Sequence, residues 1–185
     1  DDKKDILIGE LDHRIKNLVT VMQALAAQTE VTGRSAEEYR ADLMGRFEAL
    51  GRSLGVSRGG ASATLPDLVR AVMEPYQEGT STLSLATEPA IVLPRKQAMS
   101  LGMILHELTT NALKYGALSV PEGQLSVSWS EAFAQDGRPE IHLRWEESGG
   151  PTVSPPGETG FGTQMIRFAT EYDLKGSASL HYRPE

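Results

Sequence analysis

The 185-residue sequence has no cysteine. That absence excludes disulfides, cysteine zinc sites and thiol nucleophiles, and it is compatible with a cytoplasmic location. No apolar run approaches the ~20 residues of a membrane-spanning helix, so no membrane contact is expected of this stretch. No basic block is present either. The 18 Lys and Arg are scattered among 25 Asp and Glu, and a net charge of −7 offers no broad field to nucleic acid or anionic lipid. No internal repeat occurs, and no signal peptide opens the chain. The first residues, "DDKKDILIGE", read as a cut inside a longer protein. What is present is an ordinary globular balance, 39% hydrophobic and 23% charged, enough to bury a core.

Ile8, Leu11, Ile15, Leu18, Met22 and Leu25 recur in alternating steps of three and four, the seam of a helix from about residue 3 to about residue 30. Ser35 followed by Glu38 is a capping box that opens a second helix. Tyr39, Leu43, Phe47, Leu50 and Leu54 mark its apolar face, and the Gly/Ser-rich joint "GVSRGGASA" ends it. Residues 1–60 are thus expected to form a helical hairpin, half of a four-helix bundle. A lone hairpin buries little area, so a homodimer through these helices is the default expectation. The seam leaves open a monomer that completes its own bundle.

Residues 61–185 mix element types. "TLPDLVRAVMEPYQ" reads as a helix and "STLSLAT" as a strand. "PRKQAMSLGMILHELTTNALKYG" opens on proline, runs helical and stops at Gly116. "QLSVSWSEAF" and "EIHLRWEE" alternate as two strands joined by the turn residues "QDGRP". "GTQMIRFATEY" is a short helix and "GSASLHYRPE" a further strand. The order predicts an α+β domain, helices on one face of a mostly antiparallel sheet.

Four clusters carry chemistry. In "ELDHRIKNLVTVMQAL" His13 takes the heptad position farthest from the seam, and Asn17 follows one turn on. A water-facing imidazole is a competent nucleophile near neutral pH, although surface histidines are commonplace. In "LHELTTNALKYGALS" Glu107 and Asn111 stand at i and i+4, so two oxygen ligands converge as Mg²⁺ requires. Lys114 and Tyr115 follow about one turn later, suited to phosphate charge and to a base or ribose. The plain alternative is an amphipathic helix with a solvated face. In "LRWEESGGPTV" a strand delivers Trp145 and Glu147 to a glycine turn. In "GETGFGTQMI" Gly160 and Gly162 precede a helix start that can present bare N–H groups to phosphate. Taken singly, the glycine sets are also read as plain turns.

In their order the four clusters resemble the HWE/HisKA_2 group of bacterial sensor histidine kinases. "LDHRIKN" is similar to that family's phosphoacceptor box, "HELTTNALKYGALS" to its N box, "WEESGGP" to its Trp-x-Glu motif and "GFGTQMI" to its last glycine box. The resemblance implies a dimerisation and histidine-phosphotransfer domain (1–60) followed by a GHKL-type ATP-binding sandwich (61–185). It implies His13 as phosphoacceptor with Asn17 beside it, and Asn111 as Mg²⁺ ligand with Glu107 as a further ligand or water activator. His106 and Lys114 would contact phosphates or shape the site, and Tyr115 would pack near the adenosine. Trp145 and Glu147 would form the adenine end, with Glu147 in the role an aspartate plays in most histidine kinases. Gly149, Gly160, Gly162 and Thr163 would border the nucleotide and its lid. The implied activity is autophosphorylation by ATP and transfer to the aspartate of a response-regulator receiver domain. An upstream sensor, PAS-type in much of the family, is implied outside this stretch.

Two features depart from the classical pattern. Arg14, not an acid, follows His13, which leaves the base for the imidazole proton unassigned. The chain stops at "HYRPE", where family members run into one more strand. Competing readings are a transfer module with a degenerate non-ATP-binding domain, another GHKL ATPase or serine kinase, and a non-enzymatic scaffold. Retention of Glu107, Asn111, Glu147 and the glycines argues against a non-binder.

Overall fold

The computed structural model describes residues 15–16, 18–56, 62–77, 81–152 and 161–182. It divides into two compact units, residues 1–48 and 49–185.

In the first unit, residues 18–28 are helical (α1) and a turn leads into α2 (Ala36–Val56). The capping box forms as expected. The Glu38 N–H donates to Ser35 Oγ at 3.2 Å, and the Ser35 N–H donates to Glu38 Oε2 at 2.8 Å. Polar bonds tie the hairpin. Tyr39 Oη donates to the Ala26 carbonyl at 3.3 Å, and Arg34 pairs with Asp42. Arg46, only 7% exposed, donates to Thr29 Oγ1 at 3.0 Å, and that hydroxyl donates to the Leu25 carbonyl at 2.7 Å. Along the predicted seam Leu25 is buried, whereas Ile15, Met22 and the adjacent Val19 are exposed. Two helices can bury only the sides that face each other.

The second unit begins with the last two turns of α2, where Ala49, Leu50 and Ser53 are buried. A short antiparallel pair follows, β1 (Ser62–Thr64) with β3 (Val92–Pro94). β1 feeds straight into α3 (Leu65–Met73), whose first turn is capped by Thr64 Oγ1 accepting from the Asp67 N–H. The main sheet has the order β2-β4-β5, with β2 (Thr82–Leu85) parallel to β4 (Gln124–Phe133) and β4 antiparallel to β5 (Pro139–Ser148). α4 (Arg95–Lys114) lies in the connection between β2 and β4, and α5 (Phe161–Phe168) follows β5. Leu125, Val127 and Trp129 of β4 point to the same core as Leu65, Leu68, Val72 and Leu105, while Ser130 on the opposite face is exposed. Helices therefore cover one face, and the fold is α+β as the pattern predicts. Trp129 also donates its indole N–H to the Pro89 carbonyl at 2.8 Å.

Three details differ from the sequence expectation. β1 and β3 were not anticipated, because three-residue strands carry too little alternation to read. β2 and β4 pair in parallel because a helix-bearing crossover joins them. Residues 176–182 form no strand: "GSASLHY" lacks the β-branched residues that favour a ladder. Among the described residues no helix is long and apolar enough to cross a membrane.

Two predictions follow from the packing. A Cβ on Gly102 of α4 would lie 1.9 Å from Ser53 Oγ. Gly102→Ala should therefore cost about 1–3 kcal/mol in urea unfolding, and adding Ser53→Ala should recover part of it. Unchanged stability of the single variant would contradict this packing. Second, the backbone and hydroxyl of Ser35 lower the Glu38 carboxyl below the usual glutamate value. Its contribution is therefore complete above the ordinary glutamate pKa and fades as pH falls through the lowered one. In an NMR titration, Ser35→Ala should move the Glu38 midpoint back up.

Candidate functional site

α4 has to be buried on one side and open on the other. Leu105, Thr109 and Ala112 form the inward stripe, and Thr109 Oγ1 donates to the Leu105 carbonyl at 2.6 Å. Its polar end faces a cleft of about 2190 Å³ whose wall includes Asn111, Lys114, Tyr115, Glu147, Gly162 and Thr163. This volume exceeds an ordinary ligand pocket of about 300–1,000 Å³, so shape alone gives little selectivity and the polar groups must supply it.

The four motifs do not all enter the described structure. His13, Asn17 and Gly160 lie outside the described residues. Of the rest, two groups form. The first joins α4 to α5: a Cβ on Gly162 would stand 2.8 Å from Glu107 Oε2 and 3.9 Å from Asn111 Nδ2. The start of α5 thus comes close to the carboxylate and the amide, an approach that a residue with a Cβ could not make without a shift. Glu107 is 5% exposed and His106 is 7% exposed, so both are set into the protein and neither lines the cleft. Asn111 reaches the cleft wall, and Lys114 and Tyr115 at the helix end are exposed. Among the described residues no three His, Asp or Glu side chains gather as a metal cage. A carboxylate plus an amide still suits Mg²⁺, which takes its remaining oxygens from water and phosphate.

The second group lies at the end of β5. Trp145 and Glu147 are two residues apart on one strand and so share a face. The Trp145 indole N–H donates to Glu147 Oε1 at 2.9 Å, and the Ala117 backbone N–H donates to Glu147 Oε2 at 2.8 Å. Gly116 makes room for this, since a Cβ there would fall 2.0 Å from Oε2. Gly149 adopts φ +65 and turns the chain out of the strand, and Gly150 packs against the backbone of Ala117. The two glycines therefore seat the end of β5 against the turn that follows α4. The roles of Gly116 as a clearance, of Gly150, and of the Ala117 N–H were missed in the sequence. Gly116 was visible there only as a helix stop.

The HWE histidine kinase family profile matches residues 10–89. The blue-light-activated histidine kinase of Rhizobium johnstonii is 32% identical over 172 residues, 92% of this chain and 48% of that protein. Blue-light-activated histidine kinase 1 of Erythrobacter litoralis is 35% identical over 167 residues, 86% of this chain and 45% of that protein. The chain spans about half the length of the curated relatives it matches. The solved Erythrobacter litoralis EL346 blue-light activated histidine kinase shares the fold, with a TM-score of 0.58 and 16% identity over 88% of this chain and 53% of that one.

Gly116→Ala tests the second group. The added methyl should push the Glu147 carboxylate off the Ala117 N–H and lower stability by about 1–3 kcal/mol in urea unfolding. A crystal structure of the variant with Glu147 unmoved would refute the packing.

Proposed function

The chain belongs to the HWE histidine kinase family, and from that premise we propose that it is the catalytic region of a two-component sensor kinase. In this reading His13 takes the γ-phosphoryl group of ATP and passes it to the aspartate of a receiver domain. The observation that carries the reading is the convergence of Glu107, Asn111 and Gly162 from two separate motifs, beside a cleft that also holds Glu147.

The residues divide the work by chemistry. Asn111 on the cleft wall, with the buried Glu107 one turn before it, would hold Mg²⁺, which would supply neutralisation of phosphate charge there. Lys114 adds positive charge at the same end, and the first turn of α5, which contains Gly162 and Thr163, offers the Thr163 hydroxyl and backbone donors to phosphate. His106 shapes the site from within the protein. Tyr115 would cover the adenosine, and Glu147 would accept the exocyclic amine of adenine. The unprotonated ring nitrogen of His13 attacks the γ-phosphorus in line. The bond to the bridging oxygen breaks, ADP leaves, and the other ring nitrogen releases its proton to water. Asn17, four residues after His13 in sequence, would contact the incoming phosphoryl group. Positioning and charge neutralisation supply most of the acceleration, because the protein has little covalent chemistry to perform.

The exposed apolar stripe Ile15, Val19 and Met22 supports a second copy of the chain as the partner of the hairpin. We place the protein in the cytoplasm, downstream of a PAS-type sensor and upstream of a response regulator.

Incubation with radiolabelled ATP should label the wild type and neither His13→Ala nor Asn111→Ala. The label should be acid-labile and base-stable. Label retained on His13→Ala would refute the acceptor assignment, and an acid-stable label would indicate a serine or threonine kinase. Calorimetric titration with ATP and Mg²⁺ should show binding to His13→Ala; its absence would favour a transfer-only module.

A further inference from the structure

We propose that Trp145 is a positioning residue that fixes the orientation of the Glu147 carboxylate, and through it the preference for a 6-amino over a 6-oxo purine. The proposal rests on the nucleotide reading above and goes beyond it by giving the tryptophan of the motif a task other than touching the ligand.

Trp145 sits on the core-facing side of β5, opposite Val127 of β4, and its ring packs against the main hydrophobic cluster. Val127 is 1% exposed, so the half-buried indole rests on a buried neighbour while its N–H end stays toward the exposed side. From there its N–H reaches Glu147 Oε1 at 2.9 Å. The other carboxylate oxygen is held by the Ala117 N–H at 2.8 Å. One donor is a side chain on the sheet and the other is backbone after α4. Together they stop rotation of the carboxylate about its last bond. A glutamate has one more rotatable bond than an aspartate, so an untied one gives up more freedom when a ligand binds. Each carboxylate oxygen has two acceptor positions, and the clamp fills one on each. The remaining acceptor positions belong to an exposed group on the cleft wall.

An acceptor edge held in this way pairs with an amino group. A 6-oxo purine would set a carbonyl against it and leave both unpaired, which sites built on hydrogen bonds reject strongly. The alternative role for Trp145 is packing alone. The two roles differ in whether the N–H matters once the ring shape is kept.

The experiment measures ADP and GDP affinity by calorimetry for the 185-residue chain carrying Trp145→Phe. A second variant replaces Trp145 with β-(3-benzothienyl)alanine, which keeps the bicyclic shape but has sulfur in place of the N–H. ADP binding should weaken about tenfold in both, with GDP binding little changed, so the ADP preference shrinks by a similar factor. In combination with Glu147→Ala, loss of the N–H should weaken ADP binding no further than Glu147→Ala alone. Unchanged ADP affinity in the benzothienyl variant, or losses that simply add in the double variant, would overturn the role given to Trp145 while leaving the nucleotide site standing. A wild type that binds no ADP would bring down the nucleotide reading and this inference with it.

Discussion

The second unit depends on α4 being buried along only one side. Leu105, Thr109 and Ala112 are fully buried; Leu105 packs in the core shared with α3 and the sheet, and Thr109 meets Met73 of α3. With rotation about the helix axis fixed, the positions of Asn111, Lys114 and Tyr115 are fixed as well, because side chains on a helix follow its turn of about 3.6 residues. A ligand set held on a rigid element is more accurate than one held on loops. Ser53 and Gly102 extend this constraint to α2, whose last turns fit against α4 at a point where even one methyl would collide.

The site is then assembled by small residues and backbone rather than by large side chains. Gly162 lets α5 begin beside Glu107. Gly116 lets Glu147 reach the Ala117 N–H, and Gly150 lets the end of β5 lie on the same turn. Each clearance brings a polar group from one motif to another motif distant in sequence. Trp145 contributes from below by linking the hydrophobic core to the carboxylate with one hydrogen bond. The cleft is wide, so discrimination falls to these few oriented groups.

The first unit is held differently. Its hairpin is tied by Tyr39, Arg46 and the Ser35–Glu38 box, polar bonds that fix the turn and the pairing of α1 with α2. They leave Ile15, Val19 and Met22 exposed. The polar bonds specify the hairpin, whereas these three apolar side chains take no part in it.

The sequence by itself determined the α+β class, the long strands β4 and β5, α3, α4 and the capping box. Each of these is written in local periodicity or in a cap of neighbouring residues, and local patterns survive without knowledge of the whole. It also identified Glu107, Asn111, Trp145, Glu147 and Gly162 as residues of interest. Only the tertiary structure decided that His106 and Glu107 are buried while Asn111 and Lys114 face the cleft, since spacing along a helix cannot say which side meets the core. Likewise only the fold set Gly116 and Ala117 beside Glu147, joined β2 to β4 in parallel, and left residues 176–182 without a ladder. Those outcomes depend on chain segments far apart in sequence, and no local pattern encodes how closely two distant backbones will approach.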